Sequence, residues 1–244
     1  MSQNLLSTNR AFDFNITNYC NAGCPTCKRY TRPNNPYEEN VIKPFLQQNK
    51  IHMNFSDYKK IILFNEEMFA GKDAQFCGEF GDPFMHPKIE DFTLFSCEIF
   101  DLLRINTNAG FNRKKYLKNV AHLKDKICIH FSIDGMTHET NNVYRVGVNT
   151  DLAFENMIYW NELTRESRVR TSVAWDFVVF QHNLEDVEEV VDFAMKNEIF
   201  LTLKINLRKS YRNILKITKE QYEEVRKVVM KKNYKNMIFQ DYYE

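Results

Sequence analysis

Two periodicities interleave along this chain. Positions 12–17, 74–80, 102–107, 127–134, 170–180 and 200–207 read as strands, and most of them alternate apolar with polar residues. Between them, 56–69, 88–100, 113–123, 152–163, 184–196 and 219–232 read as helices. In 184–196 the residues Leu184, Val187, Val190, Val191, Ala194 and Met195 recur at helical spacing and mark one buried face. Thr218 and Gln221 form a capping-box pattern that sets the start of the last helix. Six strand–helix units in series predict parallel strands with right-handed crossovers. One α/β domain over 1–244 is expected, with its core over about 12–232.

Both an open doubly wound sheet and a partial barrel satisfy that order, and side-chain alternation separates them. Ordinary parallel strands are apolar on both faces. Here Ile127, Ile129, Phe131 and Ile133 alternate with Cys128, His130, Ser132 and Asp134. Leu201, Leu203, Ile205 and Leu207 alternate with Thr202, Lys204, Asn206 and Arg208, while Asp13, Asn15 and Thr17 oppose Phe12, Phe14 and Ile16. One face packs under helices and the other lines a polar space. A partial (β/α)6 barrel with a wet lumen is the expected fold.

Length and composition add bounds. At 244 residues, 43% hydrophobic and 27% charged, the chain is ordinary for a globular domain. No apolar run approaches the roughly 18 residues of a membrane span, and Met1–Leu6 does not resemble a leader, so the expected setting is the cytoplasm. Net charge is +1, yet from Leu201 onward eleven Lys or Arg face five Asp or Glu. A solvated helix face explains that excess; a polyanionic partner such as RNA is the sharper reading.

The candidate chemistry sits just after the first strand, where Cys20, Cys24 and Cys27 stand in a C-x3-C-x2-C loop. Thiolates select zinc, copper(I) or iron-sulfur centres, and structural zinc closes its tetrahedron with four ligands. Cys77, Cys97 and Cys128 are isolated, and His52 is the nearest downstream histidine, so a local zinc knuckle is incomplete. A cluster held by three thiolates fits better, with zinc and ordinary free thiols as the alternatives.

These residues resemble the radical S-adenosylmethionine (SAM) superfamily. In that family the three cysteines hold a 4Fe-4S cluster, whose fourth iron is chelated by the methionine moiety of SAM. Reductive cleavage then yields a 5'-deoxyadenosyl radical that abstracts hydrogen from substrate. The resemblance also implies a six-unit partial barrel with the cluster loop after the first strand.

Ligands of such folds sit at the carboxyl ends of the strands. After the second strand, Gly81-Asp82-Pro83 resembles the family's Gly-Gly-Glu-Pro segment, which receives the methionine ammonium; Phe80 and Asp82 depart from it. After the third, Asn106-Thr107-Asn108-Ala109-Gly110 resembles a Thr-Asn-Gly element. After the fourth, Ser132-Ile133-Asp134-Gly135 with Arg145 resembles residues that reach the ribose and carboxylate of SAM. Asn183 faces the cofactor or caps a helix. His130 is a candidate for substrate or proton-transfer chemistry, and Lys204 and Asn206 are candidates for touching either ligand. Thr26 stands where the family places an adenine-stacking aromatic, a role that Tyr30 or a barrel residue would have to fill.

The run Gly-Asp-Pro-x-x-His-Pro followed by Ser-Ile-Asp-Gly is most similar to the peptide-modifying and molybdopterin-type branch. No cysteine follows Cys128, so a core with a single cluster is expected. The implied substrate is a polar small molecule or peptide, with an electron donor such as flavodoxin or ferredoxin. The 28–50 connection is a candidate lid. The rival readings are an RNA- or nucleotide-modifying radical SAM enzyme and a non-catalytic iron-sulfur electron carrier or binding protein.

Overall fold

A computed structural model of the chain describes residues 11–25, 27, 29–31, 41–42, 50–76, 79–169, 171–205 and 217–240. Its strands are β1 (Phe12–Asp13), β2 (Tyr30–Thr31), β3 (Val41–Ile42), β4 (Asp73–Phe76), β5 (Leu102–Thr107), β6 (Ile127–Ser132), β7 (Val173–Val179), β8 (Phe200–Ile205) and β9 (Met237–Gln240). Its helices are α1 (Phe55–Phe64), α2 (Glu66–Phe69), α3 (Ile89–Ile99), α4 (Lys114–Val120), α5 (His138–Tyr144), α6 (Thr150–Thr164), α7 (Val187–Lys196) and α8 (Lys219–Lys232).

Seven strands form one sheet in the order β1-β4-β5-β6-β7-β8-β9, every neighbouring pair parallel, while β2 and β3 make a separate antiparallel pair. The sheet is not closed, as expected of a partial barrel. Beyond the six expected strand positions, β9 extends the far edge by pairing Leu201–Lys204 with Met237–Gln240. Four residues are too few to show a period, so the pattern ended at the last helix.

The first strand is shorter than its alternation suggested. After Phe14 the chain leaves β4, Ile16 accepts a hydrogen bond from the Met53 amide, and Thr17 bridges antiparallel to His52. The exit aims the cysteine loop across the strand ends. The 56–69 helix breaks at Asn65, and the 184–196 helix begins only at Val187, after a 3-10 turn over Gln181–Asn183. Helix α5 was not visible in the pattern; Thr137 and Thr140 cap it reciprocally.

The strand faces divide as the alternation required. Ile105, Ile129, Phe131, Ile133, Trp175, Phe177, Leu201 and Leu203 are buried under the helices in one continuous core. Burying a side chain of that size contributes about 1.5–3 kcal/mol. The Trp160 and Trp175 indoles donate to the carbonyls of Ser172 and Ile133, so their polar edges are satisfied inside it. On the concave face, Cys128, Ala174 and Phe200 pack with Leu102 and Ile238 into an apolar plug. Polar side chains line the strands above that plug, toward their carboxyl ends.

Candidate active site

The cysteine loop is tied down by the groups around it. Arg29 donates to the carbonyls of Cys20 (3.4 Å) and Ala22 (3.2 Å), and the Gly23 amide donates to the Val146 carbonyl (2.7 Å). Asn108 donates to Asn21 Oδ1 (2.9 Å) and approaches Cys20 Sγ at 3.5 Å. At the root of the loop, Asp82 donates its amide to the Tyr19 carbonyl (2.8 Å). That approach requires Gly81, where an added Cβ would lie 2.2 Å from the Thr17 carbonyl oxygen.

Asp82 is a junction. Its Oδ1 accepts from the Phe84 amide (2.9 Å) and Thr107 Oγ1 (2.8 Å), and its Oδ2 from the Asn108 amide (2.7 Å). Burial raises its pKa against these hydrogen bonds. The carboxylate thus joins the loop after β4 to the end of β5. Pro83 is buried behind it at the start of a 3-10 turn.

A matching junction lies at the end of β6. The buried Asp134 accepts from Arg145 Nε (2.6 Å) and the Val178 amide (2.8 Å), while Asn183 donates to the Asp134 and Val178 carbonyls. Arg145 follows α5, and its Nη1 lies 4.0 Å from Cys24 Sγ. Burial opposes the Arg145 charge, but Asp134 and the Cys24 sulfur outweigh it and raise the pKa. Gly135 lets α5 close over the turn, since a Cβ there would meet the Asn141 amide at 2.3 Å.

These elements enclose a cavity of about 220 Å³ lined by Cys20, Ala22, Cys24, Cys27, Arg29, Gly81, Asp82, Asn106, Thr107, Asn108, Ser132 and Arg145. Burial pushes the Cys20 thiol up to about 12, helped by Asp82, and raises Cys24 against the pull of Arg145. Among the described residues, no group of three or more His, Cys, Asp or Glu converges as ligands of a metal ion.

No protein-family model matches the sequence, and no curated protein matches it. Solved structures do match. Streptococcus suis SuiB bound to S-adenosylmethionine has a TM-score of 0.64 at 19% identity, covering 95% of this chain and 50% of that one. The protein anSMEcpe with bound AdoMet has a TM-score of 0.62 at 14% identity, covering 91% and 57%. A radical SAM methyltransferase from Sphaerobacter thermophilus has a TM-score of 0.59 at 9% identity, covering 94% and 65%. The chain shares the fold of these proteins. It spans about half the length of SuiB.

Within this fold, the three cysteines, Gly81, Asp82, Thr107, Asn108, Ser132 and Arg145 meet at one cavity. Pro83, Asp134 and Asn183 do not line it. Asn183 is fully buried, and its Oδ1 accepts from the Phe180 amide while its nitrogen donates twice, so its amide braces the ends of β6 and β7. His130 and Lys204 also lie outside that lining; both meet Asp176, at 3.3 and 2.9 Å.

Sequence reasoning overlooked Arg29 and Asp176. A cation two residues after the last cysteine, and a lone carboxylate inside the apolar run Val173–Val179, were the available signals. Thr26, Cys77, Asn206 and most of the candidate lid lie outside the described residues, as does the side chain of Tyr30.

Proposed function

We propose that this chain is a radical SAM enzyme that binds a 4Fe-4S cluster through Cys20, Cys24 and Cys27 and acts on a polar substrate. The observation that carries this reading is the shared cavity: three thiols from one loop open on the same space as three strand-end segments and Arg145. The donor set suits such a cluster. Three soft thiols line one cavity, and Cys20 and Cys24, which resist ionisation alone, would be stabilised as thiolates by a cationic centre.

When bound, the cluster supplies the electron that cleaves SAM to a 5'-deoxyadenosyl radical, which takes hydrogen from substrate. The chain's own residues hold and orient. Gly81 and Asp82 seat the loop root against the end of β5, where the backbone would receive the methionine ammonium. Arg145, kept charged by Asp134, faces the cavity as a partner for a carboxylate. Thr107, Asn108 and Ser132 supply neutral donors and acceptors. Asn183 acts on the cofactor only by bracing the Asp134 turn.

A peptide segment is the favoured substrate form, because SuiB is solved with the precursor peptide SuiA and anSMEcpe with the Cp18Cys peptide. The setting is the reducing cytoplasm, with flavodoxin or ferredoxin as electron donor. Among the described residues no helix is long and apolar enough to cross a membrane.

The test is anaerobic reconstitution with iron and sulfide, followed by SAM and dithionite. Wild type should form 5'-deoxyadenosine, and a Cys20→Ala, Cys24→Ala, Cys27→Ala triple variant should fall to background. Equal product from both, or none from a wild type carrying a full cluster, would sink the reading.

A further inference from the structure

Below the cysteine cavity, the concave face of the sheet carries a second cluster of charged groups that the cofactor reading does not use. Register places Asp176 beside Ser132 on one side and Thr202 on the other, so it sits one strand from the cavity lining. Its Oδ2 meets both His130 Nδ1 (3.3 Å) and Lys204 Nζ (2.9 Å). Its Oδ1 is buried and has no hydrogen-bond partner among the described residues. A carboxylate this enclosed leaves an acceptor empty only at a cost of about 1–3 kcal/mol. Such an oxygen, on the polar face of the sheet beside Ser132 of the cavity lining, is a place for a donor that arrives with a ligand.

The charge inventory of this face is also incomplete. Arg104, on the same face of β5, is neutralised by Asp73 at 2.8 Å. That leaves Lys204 and His130 sharing one carboxylate. Burial works against the His130 charge, but Cys128 and Asp176 outweigh it and raise the pKa to about 10. The Lys204 side chain is still 34% exposed. An ammonium has three N–H donors, and Asp176 takes one.

We propose that Lys204, Asp176 and His130 form the substrate subsite of the lumen, and that it takes a substrate carrying a monoanionic carboxylate next to an N–H donor. The carboxylate docks on Lys204, and the N–H reaches Asp176 Oδ1. The Lys204 N–H donors that Asp176 does not take suit a carboxylate. An amide N–H beside a carboxylate is the chemistry of an acylated amino acid or the carboxyl end of a peptide. The apolar plug of Cys128, Ala174, Phe200, Leu102 and Ile238 closes the space beneath, so the group enters from the cavity side. This inference rests on the radical SAM reading for the word substrate, though its binding test does not.

The probes are N-acetylglycine and its neutral amide, N-acetylglycinamide, titrated into the oxidised, cluster-reconstituted protein with the His130 imidazole resonance as readout. A His130→Gln variant assigns that resonance. N-acetylglycine should saturate in a roughly millimolar range, and the amide should bind at least about tenfold more weakly. Lys204→Gln should lower N-acetylglycine affinity about tenfold or more, and Lys204→Arg should restore most of it. Saturating SAM should leave N-acetylglycine bound.

Equal binding of the two probes, no binding of N-acetylglycine, or its displacement by SAM would each overturn the proposal. The acid–amide comparison is made in wild type, so it stands even where a variant fails to fold. Carboxylate binding without any 5'-deoxyadenosine formation would sink the radical reading alone; the converse would sink this one alone.

Discussion

The rim and the floor of the lumen are built from the same residue types to opposite ends. At the rim, Asp82 and Asp134 each have both oxygens engaged, and Asn183 uses its amide oxygen and nitrogen on backbone partners. At the floor, Asp176 loads two cations on one oxygen and leaves the other without a partner. A satisfied network fixes geometry, while an unsatisfied one awaits a ligand. The rim shapes the cavity beneath the cysteine loop, and the floor recognises what enters it.

That contrast breaks most sharply at Asp134. Asp134→Ala leaves the part-buried Arg145 without its carboxylate and strips the Val178 amide of its acceptor, and should cost about 3 kcal/mol, read as a loss of thermal stability together with impaired cluster retention. A change below about 1 kcal/mol would mean the rim is not the rigid part. Asp176→Ala should cost less, because removing it also frees Lys204 to reach solvent.

Gly81→Ala is the next largest. Its Cβ would strike the Thr17 carbonyl, so the loop root must shift, at about 1–3 kcal/mol in denaturant unfolding. SAM cleavage should fall by more than the stability loss explains, since the displaced segment carries the cysteines. Unchanged turnover would detach Gly81 from the site.

The smallest effect is one of pH and belongs to the floor. The His130 pKa is raised in the folded protein, to about 10 from 6.5. Its stabilising contribution is therefore complete below pH 6.5 and is lost as pH rises through about 10. Asp176 runs the other way. Its pKa is depressed because His130 and Lys204 overcome the burial that would raise it, so its contribution is lost only as pH falls through the acid range. Asp176→Asn should lower the His130 titration midpoint, followed by NMR, and flatten the alkaline decline in stability. A midpoint that stays near 10 would assign the shift to Cys128 instead.

Much of this arrangement was legible from residue order. Alternation along Ile127–Ser132 and from Leu201 to Ile205 exposed the two faces of the sheet, because a parallel strand with a polar face must line a space. The three cysteines and the strand-end segments could be assigned to one site, since consecutive βα units put all their loops at one end. The second strand edge at Met237–Gln240 stayed hidden because a four-residue strand has no period to read. Helix α5 stayed hidden as well, being seven mostly polar residues that depend on the Thr137–Thr140 cap and on Asn141 beneath the Asp134 turn.

Residue order alone set the fold class, the polar lumen and the three thiols, because period, parity and spacing are local properties carried by neighbours in the chain. It could not tell a carboxylate that faces a ligand from one that is consumed by its surroundings. Asp82, Asp134 and Asp176 all follow or interrupt strands in similar fashion, and their roles diverge only through partners 11 to 46 residues away. Hydrogen-bond capacity is filled by whatever folding brings within about 3 Å, and that inventory exists only once the strands are side by side.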